Sequence, residues 1–315
     1  VSNPRALIEK GLNQKKAYRF FGNVVFNYEF SKNFKLSNLT GLTYDKTQET
    51  LFIPRKGVTD EVLDNTIGDS KLGSQVIRYF NVFNDLRFAY NKTFAKDNNL
   101  NISLGTRYSQ NSSEQDFAIG YNSATDVLIS IGNSDAALRF FGGDIGKWSS
   151  LNTYFTTDYS FKNRYYLSLA VAADASSRFG RQDVFLSASD NSNYGLGLFD
   201  SNTALLPALS GAWIVSSEKF MQNIKGIDLL KFRMSYGLVG NDDIGNYNNR
   251  QFYVSQNLLG LQGLVRGNIA NPNIQWESIA KFNTGIDASF FNERLSLSLD
   301  YYINITSKML TYIPV

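Results

Sequence analysis

The chain has 315 residues, 43% hydrophobic and 19% charged, with a formal net charge of +3. No run of about 18 apolar residues occurs, which excludes a bilayer-spanning helix, and the charges are interspersed rather than gathered into a nucleic-acid surface. With no cysteine and no histidine, disulfide frameworks, thiolate or zinc sites and Ser-His-Asp hydrolysis are excluded. No cofactor, metal, enzymatic role or nucleic-acid partner is expected.

The first residues, Val1-Ser2-Asn3-Pro4, bring no start Met and no leader pattern, and read as the interior of a longer protein. From Ala17 to Phe30 the even positions Tyr18, Phe20, Gly22, Val24, Phe26, Tyr28 and Phe30 interleave with Arg19, Asn23, Asn27 and Glu29. This is the period of a strand with one apolar and one wet face. Weaker alternation follows over Phe34 to Asp45 and Ile77 to Tyr90. It is clean again where Leu100, Ile102, Leu104, Thr106 and Tyr108 alternate with Asn101, Ser103, Gly105, Arg107 and Ser109. Further segments run over Leu151 to Phe161, Tyr165 to Asp174, Leu205 to Val215, Leu230 to Leu238, Lys281 to Phe290 and Leu295 to Asn304. They amount to about ten strands of roughly 9–11 residues, the length that crosses a bilayer at a tilt.

The connections alternate in length. Short ones occur at Ser31-Lys32-Asn33, Lys162-Asn163-Arg164 and Phe291 to Arg294, with longer ones at Asn91 to Asn99 and Ser216 to Ile227. Between them lie long segments, Lys46 to Gln75, Gln110 to Ser150, Ala175 to Ala204 and Gly240 to Ser278. An up-and-down barrel with short periplasmic turns and long extracellular loops has this rhythm; a soluble sandwich or propeller predicts more even spacing. Aromatics gather beside the short turns, at Tyr28, Phe30, Phe34, Tyr159, Phe161, Tyr165, Phe290 and Phe291, as an interfacial girdle requires. The fold class is therefore all-β, an antiparallel transmembrane β-barrel fragment in an outer membrane.

Several motifs invite a chemical role. Asn241, Asp242 and Asp243 offer oxygen ligands to a hard cation, but EF-hand spacing is absent and a turn is the preferred reading. Arg178 could touch substrate from the extracellular rim; the preferred alternative is a turn in which it pairs with a wall carboxylate such as Asp174. Trp276 could stack on a sugar, whereas Trp213, in phase on a strand, reads as interfacial. Asn23, Arg107, Asp158, Asp174, Lys231, Arg233, Lys281, Asp287 and Asp300 fall on the wet face and would line a lumen.

Four stretches carry a family resemblance: Ala173-Asp174-Ala175-Ser176-Ser177-Arg178-Phe179-Gly180, Leu206-Pro207-Ala208-Leu209-Ser210-Gly211-Ala212-Trp213, Leu230 to Gly237 with Gly240-Asn241-Asp242-Asp243-Ile244-Gly245, and Asn271-Pro272-Asn273-Ile274-Gln275-Trp276-Glu277. The last runs into Phe282 to Asp287 and Asp300-Tyr301-Tyr302. In order and spacing they resemble the barrel of the SusC/RagA family of TonB-dependent outer-membrane transporters from Bacteroidetes. Two departures stand out. Leu206 takes the place of the family's usual Phe, and Ala172-Ala173 replaces a more basic stretch.

The resemblance implies that residues 1–315 are part of a single barrel domain of about 22 strands, without its plug, TonB box and terminal strands. It further implies energy-coupled import of oligosaccharide or oligopeptide. The implied partners are a SusD-like lipoprotein, the TonB-ExbB-ExbD complex acting through the plug, and outer-membrane lipid. The wall residues would then pair with the plug. A structural or adhesive barrel, a barrel-embedded hydrolase and a soluble carbohydrate-binding β-protein are the alternatives.

Overall fold

The computed structural model describes residues 4–55, 70–95, 97–179, 203–221, 223–224, 226–258, 261–271 and 274–311. Gly180, Pro272, Asn273 and the centres of the long segments after Lys46 and Ala175 lie outside the described residues. Among the described residues a short helix, α1 (Pro4–Lys10), precedes twelve strands. These are β1 (Leu12–Glu29), β2 (Phe34–Ile53), β3 (Lys71–Phe94), β4 (Asn98–Tyr121), β5 (Arg139–Phe161), β6 (Tyr165–Ser176), β7 (Thr203–Ile214), β8 (Ile227–Asn241), β9 (Tyr253–Leu258), β10 (Leu261–Arg266), β11 (Glu277–Phe290) and β12 (Leu295–Ser307).

Ten of them form one antiparallel meander in the order β1-β2-β3-β4-β5-β6-β7-β8-β11-β12, so β1 and β12 are its edges and the sheet does not close on itself. Each of the ten overlaps one of the segments read from periodicity, but β2, β3, β4 and β5 run on into Lys46 to Gln75 and Gln110 to Ser150, the segments expected to be connections. β9 and β10 make a separate hairpin inside the long segment after β8, which the alternation had not marked. Contacts group the chain into two compact units, Val1–Asn23 with Gly41–Phe83 and Gln110–Lys147, and Val24–Thr40 with Asn84–Ser109 and Trp148–Val315.

The expected strand length holds only in part. β6 and β7 have 12 residues each and β12 has 13, but β3 and β4 reach 24. The face of β4 that carries Leu100, Ile102, Leu104, Thr106 and Tyr108 continues as Gln110, Ser112, Glu114 and Asp116. Backbone pairing does not depend on side-chain polarity, so the ladder runs on after the apolar band ends.

Period two sorts the side chains onto two faces, and the register ties the strands together. Row by row, Asp158 stands opposite Ser168, Ser168 opposite Ser210, Ser210 opposite Ser235 and Ser235 opposite Asn283. The other face carries Phe232 opposite Ile286 and Ile286 opposite Leu299. That apolar face is open, with Met234, Tyr236, Leu299 and Tyr301 all at least half exposed. Among the described residues the fully buried side chains are few and form no core in the soluble sense; the apolar surface requires lipid.

Turn chemistry closes the short connections. Lys162 and Asn163 both take positive φ, 51° and 53°, and the Arg164 amide donates to the Phe161 carbonyl at 3.0 Å, the left-handed pair that a tight hairpin needs. Phe291, Asn292 and Glu293 form a longer left-handed run, φ 60°, 56° and 62°. It is tied to the start of β8 by Phe291 N donating to Gly226 O at 3.1 Å and Glu293 N to Asp228 at 2.9 Å. Pro207 sits within β7 without an N–H to give, and β7–β8 pairing stops one residue later, at Ala208 opposite Gly237.

Candidate functional site

The ends of β6, β8 and β11 on the long-segment side converge beside the middle of β5. After β6, Ser176 Oγ accepts from the Arg178 amide at 3.4 Å, and Ser177 Oγ accepts from the Ser149 amide at 2.9 Å. The chain thereby folds back so that Arg178 lays its guanidinium over Trp148, 4.8 Å from the ring centre. Its Nη1 donates to the Asp242 carbonyl at 3.1 Å and to Asp243 Oδ1 at 3.3 Å. Phe179, 2% exposed, packs on Trp276 with ring centres 4.9 Å apart. Trp276 in turn covers Gly240, where a Cβ would meet the indole at 2.9 Å.

All five residues expected to bind substrate, Trp276, Arg178, Asn241, Asp242 and Asp243, thus fall in one cluster. Their roles differ. The Arg178 side chain is 14% exposed and points into packing, whereas that of Asp243 is 84% exposed. Asn241 Oδ1 accepts from the Asp243 amide at 3.1 Å, and Ile244 N donates to Asp242 O at 2.8 Å, so the loop is a hydrogen-bonded turn. Among the described residues, no group of three or more His, Cys, Asp or Glu is placed to hold a metal ion.

One expected pairing is corrected. Asp174 does not receive Arg178; it accepts from Asn152 across the β5–β6 ladder. The Ser176-Ser177 turn carries Arg178 off β6 and between Trp148 of β5 and the loop after β8, away from Asp174. Trp148, which holds Arg178 from the other side, was not singled out from the sequence. Its only signal is that it is one of three tryptophans.

The wall residues Arg107, Asp158, Asp174, Lys231, Arg233, Lys281, Asp287 and Asp300 all share the polar face. Several are already satisfied there. Arg233 grips two carboxylates, with Nη1 2.6 Å from Asp300 Oδ1 and Nε 3.0 Å from Asp287 Oδ2, and Ser298 Oγ adds a 2.7 Å bond to Asp287. Arg107 donates to Asp85 at 2.8 and 2.6 Å, and Tyr154 OH reaches the same carboxylate at 2.9 Å. Asp85, 8% exposed, is a hub that periodicity concealed, because Phe83 shares its phase. Gly105 is needed beside it: a Cβ there would meet the Tyr154 ring at 2.4 Å. Lys231, Lys281 and Asp158 make no side-chain hydrogen bond or ion pair among the described residues.

The short-turn end holds a second cluster. Glu218, just past β7, accepts from Tyr165 OH at 2.6 Å and from Trp213 Nε1 at 3.1 Å and pairs with Arg164 at 3.3 Å. Tyr165 stacks on Trp213, ring centres 6.3 Å apart. These donors hold the Glu218 carboxyl below its ordinary range, the Tyr165 and Trp213 hydrogen bonds foremost.

An antiparallel meander with one open apolar face, one charged face and an aromatic girdle at its short turns is a wall segment of a transmembrane β-barrel. Residues 3–315 match the family model described as TonB dependent receptor-like, beta-barrel, and the chain belongs to that family. A TonB-dependent receptor of Formosa agariphila is 28% identical, covering 100% of this chain and 28% of the relative. The TonB-dependent receptor SusC of Bacteroides thetaiotaomicron is 23% identical over 99% of this chain and 29% of its own length. The chain thus spans under a third of these relatives. The structure of the RagAB peptide transporter superposes with a TM-score of 0.81 at 21% identity, over 99% of this chain and 32% of that one. The SusC/RagA resemblance holds, and the segment belongs to the bacterial outer membrane.

Proposed function

We propose that residues 1–315 form part of a single barrel domain in an energy-coupled importer that takes up oligosaccharide or oligopeptide with a SusD-like lipoprotein. The observation that carries this reading is the two-faced sheet of a TonB-dependent receptor family member, apolar to lipid and charged to a lumen. The likeness to the RagAB peptide transporter supports peptide as one of the two cargo classes. TonB-ExbB-ExbD would supply energy through a plug, and the barrel would perform no covalent chemistry.

In this reading the self-satisfied groups, Arg107, Arg233, Asp287, Asp300 and Asp174, stiffen the wall. Lys281 and Asp158, without a hydrogen bond or ion pair among the described residues, contact the plug, while Lys231 stands opposite Asp287 on the neighbouring strand and supports that carboxylate. At the rim, Asn241, Asp242 and Asp243 face cargo, and Arg178 and Trp276 act as positioning residues beneath them.

The test is to purify the parent protein from its native outer membrane in mild detergent and identify co-purifying species by mass spectrometry. A stoichiometric lipoprotein with bound glycan or peptide is expected. Recovery of the barrel alone, with neither lipoprotein nor cargo, overturns the proposal in favour of a structural or adhesive barrel.

A further inference from the structure

At the long-segment end of β1 and β2 the apolar face gives way to charge, and four polar groups converge there. Their placement follows from contacts on the opposite face. Arg19 donates twice to Asp45 at 2.8 Å, Lys15 Nζ lies 2.9 Å from Glu49, and Ser37 Oγ donates to Asn27 at 2.8 Å. All three contacts fit one antiparallel register of neighbouring strands. In that register Tyr18 stands opposite Lys46 on the apolar face, and period two places Lys16 and Tyr44 on the same face as diagonal neighbours, about 7–8 Å away.

Two ammonium groups and two phenols make a cluster of hydrogen-bond donors. Tyr18 is 59% and Tyr44 38% exposed, and among the described residues none of the four side chains has a hydrogen-bond or ion-pair partner. The acids Glu114 and Asp116 of β4, on the same face, are held by Arg78 at 3.2 and 3.1 Å, and Asp45 and Glu49 point to the other face. At the short-turn end the comparable lysines are occupied differently: Lys92 and Lys162 lie over Phe94 and Phe161 at 4.8 and 4.9 Å.

Depth agrees with chemistry. From Phe30 to Tyr18 the apolar band on β1 rises about 3.3 Å per residue along a strand tilted by roughly 40°, which spans a hydrocarbon layer of about 25–30 Å. Lys16 and Lys46 then stand one step above the last aromatic, at the level of lipid headgroups.

We propose that Lys16, Lys46, Tyr18 and Tyr44 form a binding site for the phosphate headgroup of an outer-leaflet lipid. The inference rests on the outer-membrane placement. The ammonium groups neutralise the phosphate and the phenol hydroxyls donate to its oxygens, while the rings stay in the acyl region.

Native mass spectrometry of the detergent-solubilised parent protein, titrated with short-chain phosphatidic acid, tests it. Diacylglycerol of the same chains serves as the control without a headgroup. Phosphatidic acid is expected to bind at least tenfold more tightly than diacylglycerol. The Lys16→Gln/Lys46→Gln double variant should lose about tenfold in affinity, and Tyr18→Phe/Tyr44→Phe, which keeps the rings, about threefold. Equal binding of the two lipids, or undiminished binding by the lysine variant, overturns the proposal by reducing the patch to an apolar anchor. Displacement by equimolar inorganic phosphate also overturns it, by assigning the site to the free ion. Fractionation of the parent with outer membranes tests the placement separately, so the two failures are distinguishable.

Discussion

The two ends of the sheet are built on different principles. At the short-turn end, local backbone geometry closes the chain: left-handed residues at Lys162-Asn163 and Phe291-Asn292-Glu293, with an aromatic girdle and Glu218 beneath. At the long-segment end, order comes from residues distant in sequence, where Arg178 meets Asp242 and Asp243 and Phe179 meets Trp276. Local devices can be strained and still persist. A knot of distant residues depends on every member fitting.

The largest effect should therefore come from the knot. Phe179→Ala removes a side chain that is 2% exposed and is expected to cost about 3–5 kcal/mol, read as a lower temperature for loss of the compact, SDS-resistant form of the parent barrel. No change would mean that the rim is held elsewhere. Gly240→Val drives a side chain into Trp276 and should cost about 1–3 kcal/mol. The double variant with Trp276→Ala should lose less than the sum of the singles, and strict additivity would show that Gly240 and Trp276 do not share a contact.

At the short-turn end the expected effects are smaller. Because the folded state holds the Glu218 carboxyl low, its contribution is present above the ordinary carboxylate range, near pH 4.3, and lost as pH falls through the folded value. Glu218→Gln should flatten that part of the acid-stability profile, and an unchanged profile would assign the acid sensitivity to other carboxylates. Smallest of all, Glu293→Gly relieves a left-handed residue while adding chain entropy to the unfolded state, a net gain of about half a kcal/mol. A loss would show that the added freedom of the unfolded chain outweighs the strain relieved, since the backbone bond from residue 293 to Asp228 is present in both variants.

The same contrast explains what the sequence made legible. Strict alternation in Tyr18 to Phe30 or Leu295 to Ile303 marks a face directly, so the strands and the sharing of one face by all eight wall residues followed from period alone. The β9–β10 hairpin escaped because Tyr253 to Leu258 and Leu261 to Arg266 mix apolar and polar residues on both faces. Trp148 beneath Arg178, and Asn152 rather than Arg178 on Asp174, escaped for another reason. Which strand end folds over which is decided by the Ser176-Ser177 turn in space, and one-dimensional spacing does not encode it.

Pro207 carries a mechanical consequence. Below it, β7 and β8 are laced by a continuous ladder from Ala208 to Ile214; above it, β7 is laced only to β6 and β8 only to β11. The β7–β8 ladder therefore lacks rungs at its upper margin, where side-chain packing such as Leu206 beside Gly240 holds the two strands together. Backbone amides of β7 and β8 above Ala208 are expected to exchange with deuterated water before those of the ladder beneath, and equal rates would show that packing alone closes that margin.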